Sequence, residues 1–85
     1  MITNYKGKVV LGSTALQTSV ANAEIIPTGK TIINFKLMND QVCTISINGA
    51  TAVYVRANQG MEIPVVTSCK IVENNITFNW IGISG

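Results

Sequence analysis

The chain has 85 residues, enough for one domain and no second core. Apolar residues make up 47% of it and charged residues only 12%, against about 25% charged in an average domain. This composition with a net charge of +2 excludes intrinsic disorder, and the six scattered Lys and Arg residues leave no electrostatic footprint for nucleic acid.

A domain this short buries about 60–65% of its extended surface on folding, so its stability margin is thin. Disulfides, a bound metal or self-association usually widen such a margin. A metal is not expected, because there is no His and two Cys cannot complete a four-ligand site. The first residues, Met1-Ile2-Thr3-Asn4-Tyr5-Lys6, lack the apolar stretch of a secretory signal, which predicts synthesis in the cytoplasm. There Cys43 and Cys69 are expected as buried thiols rather than a bridge. Apolar runs are only a few residues long, as in Val9-Val10-Leu11, which excludes a membrane-spanning helix and leaves no membrane partner expected.

In chain order, residues 1–30 are the least regular. Lys8 to Leu11 is β-prone. From Ser13 to Glu24, Leu16, Val20 and Ala23 stand at helical spacing, with Thr14 and Gln17 set as a capping box. That apolar stripe is thin and the segment is rich in Thr and Ser, which favours extended structure. Ile25 to Lys30 predicts a turn into a central strand. Residues 31–38 alternate, with Ile33, Phe35 and Leu37 on one face and Asn34 and Lys36 on the other. After the turn signal Asn39-Asp40, Cys43, Ile45 and Ile47 face in again, so the two runs predict an antiparallel hairpin.

Asn48-Gly49 is the strongest turn signal in the chain, since both residues tolerate positive φ. Residues 52–56 follow as a strand with Val53 and Val55 on one side, Tyr54 and Arg56 on the other. Ala57 to Gly60 predicts a loop, and Met61 to Ile63 a short strand stopped by Pro64. Residues 69–73 and 76–80 predict a second hairpin about Asn74-Asn75, with Ile76, Phe78 and Trp80 sharing the core-facing side. The sum is an all-β fold of about seven short strands, a compact antiparallel β-sandwich or small barrel. It forms a single domain over residues 1–85.

Catalysis finds no inventory. Without His, general-base work falls to a carboxylate, Cys or Lys with a displaced pKa. Glu24, Asp40, Glu62 and Glu73 are far apart in sequence, and Cys43 stands in an alternating strand with no His to activate it. The glycines are single turn residues, so no phosphate cradle and no cofactor site is expected. Asn75-Ile76-Thr77 matches a glycosylation tripeptide by chance in a chain without a secretory signal. Tyr54 and Arg56 share the polar side of one strand and are the residue types favoured at interfaces, which makes them the expected contact residues. Tyr54, Trp80 and several Asn offer the materials of a small carbohydrate-binding module, the alternative to a protein–protein role. A small inhibitor of a host protein is a third reading.

The order of elements resembles that of small accessory structural proteins of tailed bacteriophages. The shared features are Ile26-Pro27-Thr28-Gly29-Lys30-Thr31 before a strand, an Asn-rich turn, and a strand ending in Asn-Gly. Tyr54-Val55-Arg56-Ala57-Asn58-Gln59-Gly60 follows, and then the closing Thr77-Phe78-Asn79-Trp80-Ile81-Gly82. The likeness covers roughly residues 25–83 and lies in turn and core positions. It implies a non-catalytic virion protein, made in the host cytoplasm, that assembles with copies of itself or with other phage structural proteins at a capsid, tail or fibre. The chain's brevity departs from proteins with a fibrous shaft, which argues against receptor binding by this chain alone.

Overall fold

The computed structural model describes residues 3–5, 8–13 and 15–84. Among them run nine strands: β1 (Thr3–Tyr5), β2 (Lys8–Gly12), β3 (Gln17–Thr18), β4 (Ile32–Asn39), β5 (Cys43–Ile47), β6 (Val53–Val55), β7 (Met61–Val66), β8 (Cys69–Ile71) and β9 (Thr77–Ser84). The described residues contain no helix, and hence none long and apolar enough to cross a membrane. The larger sheet has the order β1-β2-β9-β4-β7, with β3 also paired to β9. The smaller sheet is β6-β5-β8. Both are antiparallel, and they pack face to face as a sandwich rather than closing into a barrel.

The two strands beyond the seven read from the sequence are β1 and β3, three and two residues long. Residues 13 and 15–24 hold no helix: Gln17–Thr18 are strand, Ala21 and Asn22 form a turn, and Leu16 and Val20 lie exposed. The capping-box residue Thr14 lies outside the described residues, as do Met1, Ile2, Lys6, Gly7 and Gly85.

Both hairpins read across Asn39-Asp40 and Asn74-Asn75 are corrected. The strands on either side of each turn belong to different sheets: β4 pairs with β7 and β9, β5 with β6 and β8. Alternation fixes which side chains point inward, but an arch between two facing sheets satisfies it as well as a hairpin does. Here side-chain hydrogen bonds decide. The fully buried Asn39 donates from its amide to the Gln41 carbonyl at 2.8 Å and the Arg56 carbonyl at 2.9 Å. Its oxygen accepts the Gly60 N–H at 3.0 Å. One residue thereby pins both the β4–β5 and the β6–β7 crossings. The β8–β9 crossing is pinned by buried Ser19, whose hydroxyl donates to the Glu73 carbonyl and accepts the Ile76 N–H.

The β5–β6 turn follows the sequence. Asn48 and Gly49 both have positive φ, 53° and 77°, and Ala50 N–H donates to the Ile47 carbonyl, the geometry of a type I′ turn. Pro64 does not stop β7. It lies within it, which an edge strand tolerates because one side of its backbone has no ladder to serve. Pro64 stands opposite Asn34, whose φ is 53°, and there the pairing of β4 with β9 slips by one residue between Ile33 and Lys36. The extra residue reverses the phase of β4. Ile32, Phe35 and Leu37 are buried, while Ile33, read as a core residue, turns to the outer face.

The core lies between the sheets. Ile32, Phe35, Leu37, Val66, Phe78 and Trp80 from the larger sheet meet Cys43, Ile45, Val55, Cys69 and Ile71 from the smaller, with Ile26 and Ile76 from the connections. The rings of Phe35 and Trp80 are 5.8 Å apart and tilted by 31°. Gly82 sits beneath Ile32, where any Cβ would collide with the Ile32 side chain. Close approach of the two strands at this point requires glycine.

Candidate functional site

Glu24, Glu73, Cys43 and Cys69 are structural in their contacts. Glu24 accepts hydrogen bonds from the Ser68 hydroxyl at 2.6 Å, the Cys69 N–H at 2.8 Å and the Ile26 N–H at 3.1 Å, holding the β7–β8 crossing. Partial desolvation pushes its pKa up, but these bonds together outweigh it and hold the carboxyl below its ordinary value. Glu73 is likewise lowered, by the Thr44 hydroxyl at 2.6 Å and the Thr44 N–H at 2.9 Å. Cys43 and Cys69 are buried free thiols. Burial, with Glu24 and then Cys43 nearby, pushes Cys69 up to about 12, and burial beside Glu73 raises Cys43. Thiols so held stay protonated and are poor nucleophiles at neutral pH. Among the described residues no three His, Cys, Asp or Glu side chains converge as metal ligands. A hollow of about 440 Å3 lies at the β4–β7 kink between Asn34, Phe35, Lys36, Glu62, Ile63 and Pro64. Its one acid and one base are paired with each other at 3.7 Å.

What distinguishes the surface is the difference between its two broad faces. On the smaller sheet, cross-strand partners Thr44 and Tyr54, and Ser46 and Lys70, point outward. These pairs carry polar groups, with exposed Val42 and Val53 near the strand ends. Tyr54 is 64% exposed there on the edge strand β6, with exposed Arg56 just beyond the strand's end. Trp80 is only 7% exposed and belongs to the other sheet, so it shares no stacking platform with Tyr54.

The outer face of the larger sheet is different. Val10 is opposite Ile83, Ile83 opposite Ile33, and Ile33 opposite Val65, so one unbroken row of β-branched side chains crosses four strands. The next row runs Gly12, Ile81, Lys36 and Glu62, and Met38 lies beyond it. Ile81 and Val65 are each 50% exposed. Directly opposed β-branched residues pack well on a pleated surface, but water gains nothing from them. Sequence reasoning placed Ile33 inside and passed over the others. The available signal was the doublets Val9-Val10, Ile32-Ile33 and Val65-Val66, since adjacent apolar residues in a strand supply both of its faces.

Comparison with family models, with characterised proteins and with solved structures returned no match for this chain.

Proposed function

We propose that this protein is a non-catalytic structural or assembly component that acts by protein–protein association, as part of a tailed-bacteriophage particle. The observation that carries association is the apolar row Val10, Ile83, Ile33 and Val65, with Ile81 beside it, on the outside of a sheet whose inner face already supplies the core. Val65 and Ile81 are half exposed and Val10, Ile33 and Ile83 partly so, and a contiguous apolar patch left open to water is the kind of surface that marks an interaction site. Placement in the virion rests on the resemblance of residues 25–83 to small accessory structural proteins of such phages. Tyr54 and Arg56, at the β6 edge, are assigned to a second, smaller contact with a neighbouring particle protein. Against the carbohydrate-binding reading, Trp80 lies in the core and leaves exposed Tyr54 without a second aromatic beside it.

The test is the composition of particles purified from a lysate of cells producing the encoding phage. The chain is expected in them at a fixed stoichiometry by quantitative mass spectrometry. Its absence from intact particles would overturn the assignment to the virion.

A further inference from the structure

We propose that Asn48 is a self-modification site that the fold keeps closed. In an open chain the Gly49 nitrogen attacks the Asn48 side-chain amide and Asn48 deamidates. In the folded chain the β5–β6 turn forbids that attack. The inference does not depend on what the protein associates with.

Asn48 is the one asparagine in the chain that is followed by glycine. A following side chain crowds the attacking nitrogen, and glycine has none. In the reaction the Gly49 N–H gives its proton to solvent and the nitrogen bonds to Cγ of Asn48. The Cγ–Nδ2 bond breaks, Nδ2 leaves as ammonia, and a cyclic imide remains. Water then opens the ring at either of its carbonyls. Opening at Cγ restores the main chain with an aspartate side chain. Opening at the main-chain carbonyl leaves an isoaspartate, whose backbone runs through Cγ and is one methylene longer. Water enters, ammonia leaves, and nothing is oxidised or reduced.

Two features of the fold oppose ring closure. The ring requires the Gly49 nitrogen to eclipse Cβ of Asn48 about the Cα–C bond. Asn48 and Gly49 have φ of 53° and 77°, with the Ala50 N–H on the Ile47 carbonyl at 3.0 Å. A type I′ turn holds ψ of its first central residue near about +30°, which sets that nitrogen almost opposite Cβ. The Ser46 hydroxyl, donating to the Ala50 carbonyl at 2.6 Å, braces the turn. The second feature is the Asn48 amide, which ties the turn to the β7–β8 connection. Its Oδ1 accepts the Thr67 N–H at 2.7 Å, the Thr67 hydroxyl at 3.1 Å and the Ser68 N–H at 3.3 Å, and its Nδ2 donates to the Val65 carbonyl at 3.0 Å. Attack needs the amide to turn its face to Gly49, which breaks these bonds. Asn48 and Gly49 are exposed, so conformation rather than exclusion of water gates the reaction. The products do not fit. An aspartate would set a carboxylate oxygen against the Val65 carbonyl, and the longer isoaspartate backbone cannot form a two-residue turn.

Incubation of the full chain in mildly alkaline buffer, with and without guanidinium, tests this. Tryptic peptide 37–56 carries Asn39 and Asn48, and its fragment masses report conversion at each. Conversion at Asn48 should outpace that at Asn39 in guanidinium. It should run at least about 10-fold slower in the folded chain, where it waits on opening of the turn. Ser46→Ala, which removes the brace, should raise the folded rate and leave the guanidinium rate unchanged. Gly49→Ala should suppress conversion in guanidinium, a readout that needs no folding. After return to native buffer, isoaspartate chains should be missing from the folded fraction collected by gel filtration. Equal rates with and without guanidinium, or an unreactive Asn48 in guanidinium, would overturn the proposal. Isoaspartate chains recovered among the folded ones would overturn the exclusion of that product by the turn.

Discussion

The two outer faces of this sandwich are built on the same scaffold and obey different rules. On β5 the outward residues Thr44 and Ser46 alternate with buried Cys43 and Ile45, the pattern of a strand with water on one side. On β9, Ile81 and Ile83 face outward although Phe78 and Trp80 already face the core. Nothing in an antiparallel sheet requires an unbroken apolar row on its solvent side, and the outward cross-strand pairs of the smaller sheet, Thr44 with Tyr54 and Ser46 with Lys70, all carry a polar group. The apolar outer row therefore adds nothing to the core, and it is the feature on which the proposed association rests. Periodicity shows where the core is, and a break in periodicity shows where apolar groups remain outside it.

The comparison assumes a dry interior between the two sheets, and the largest expected effect tests that. Trp80→Ala should cost about 3–5 kcal/mol in urea unfolding. A Trp80→Ala protein of unchanged stability that lost only binding to a glycan would return the aromatic to the surface and erase the contrast between the faces. Asn39→Ala should cost about 3 kcal/mol, since it leaves the Gly60 N–H and the Gln41 and Arg56 carbonyls without their partner. Its effect belongs to the separation of the sheets, so unfolding by fluorescence and by circular dichroism should remain coincident.

Acid sharpens the comparison further, because both lowered carboxylates serve crossings or the smaller sheet. Glu24 and Glu73 hold their protons less tightly folded than unfolded. Their contribution is complete above the ordinary value of 4.5 and is lost as pH falls below it through the lowered folded values. Glu24→Gln/Glu73→Gln should flatten the acid limb of a stability–pH profile measured by urea unfolding. The smallest effects belong to the polar face. Lys70→Glu should change stability by no more than about 0.5 kcal/mol and leave the mass in solution unchanged. A cost well above that would mean that the outer side of β8 makes a structural contact rather than facing water.

Much of the fold was legible in the sequence. Seven strands, the Asn48-Gly49 turn and the core positions of Phe35, Cys43, Ile45, Phe78 and Trp80 follow from period-two patterns and turn chemistry. Pairing was not legible. Whether Asn39-Asp40 ends a hairpin or an arch depends on where the Asn39 amide finds carbonyls, and one of them is seventeen residues away. The outer row was hidden for a related reason. The slip beside Asn34 reverses the phase of β4, so reading back from Phe35 sends Ile33 to the wrong face and removes the central member of the row. The interface expected at Tyr54 and Arg56 came from residue type. The row on the larger sheet comes from register, which no single strand records.

The placement of β9 also bears on the order of events during synthesis. β2, β3 and β4 all take β9 as a neighbour, yet it follows every one of them in the chain. The middle of the larger sheet stays vacant until residues 77–84 have left the ribosome, and the long loops that join these partners must close before pairing can reward them. Translation thus outruns maturation, and the nascent chain carries its oily strands unpaired in the meantime. A ribosome-stalled chain ending before Thr77 should be digested by protease as readily as an unstructured peptide, and one extended far enough to expose Ser84 should resist.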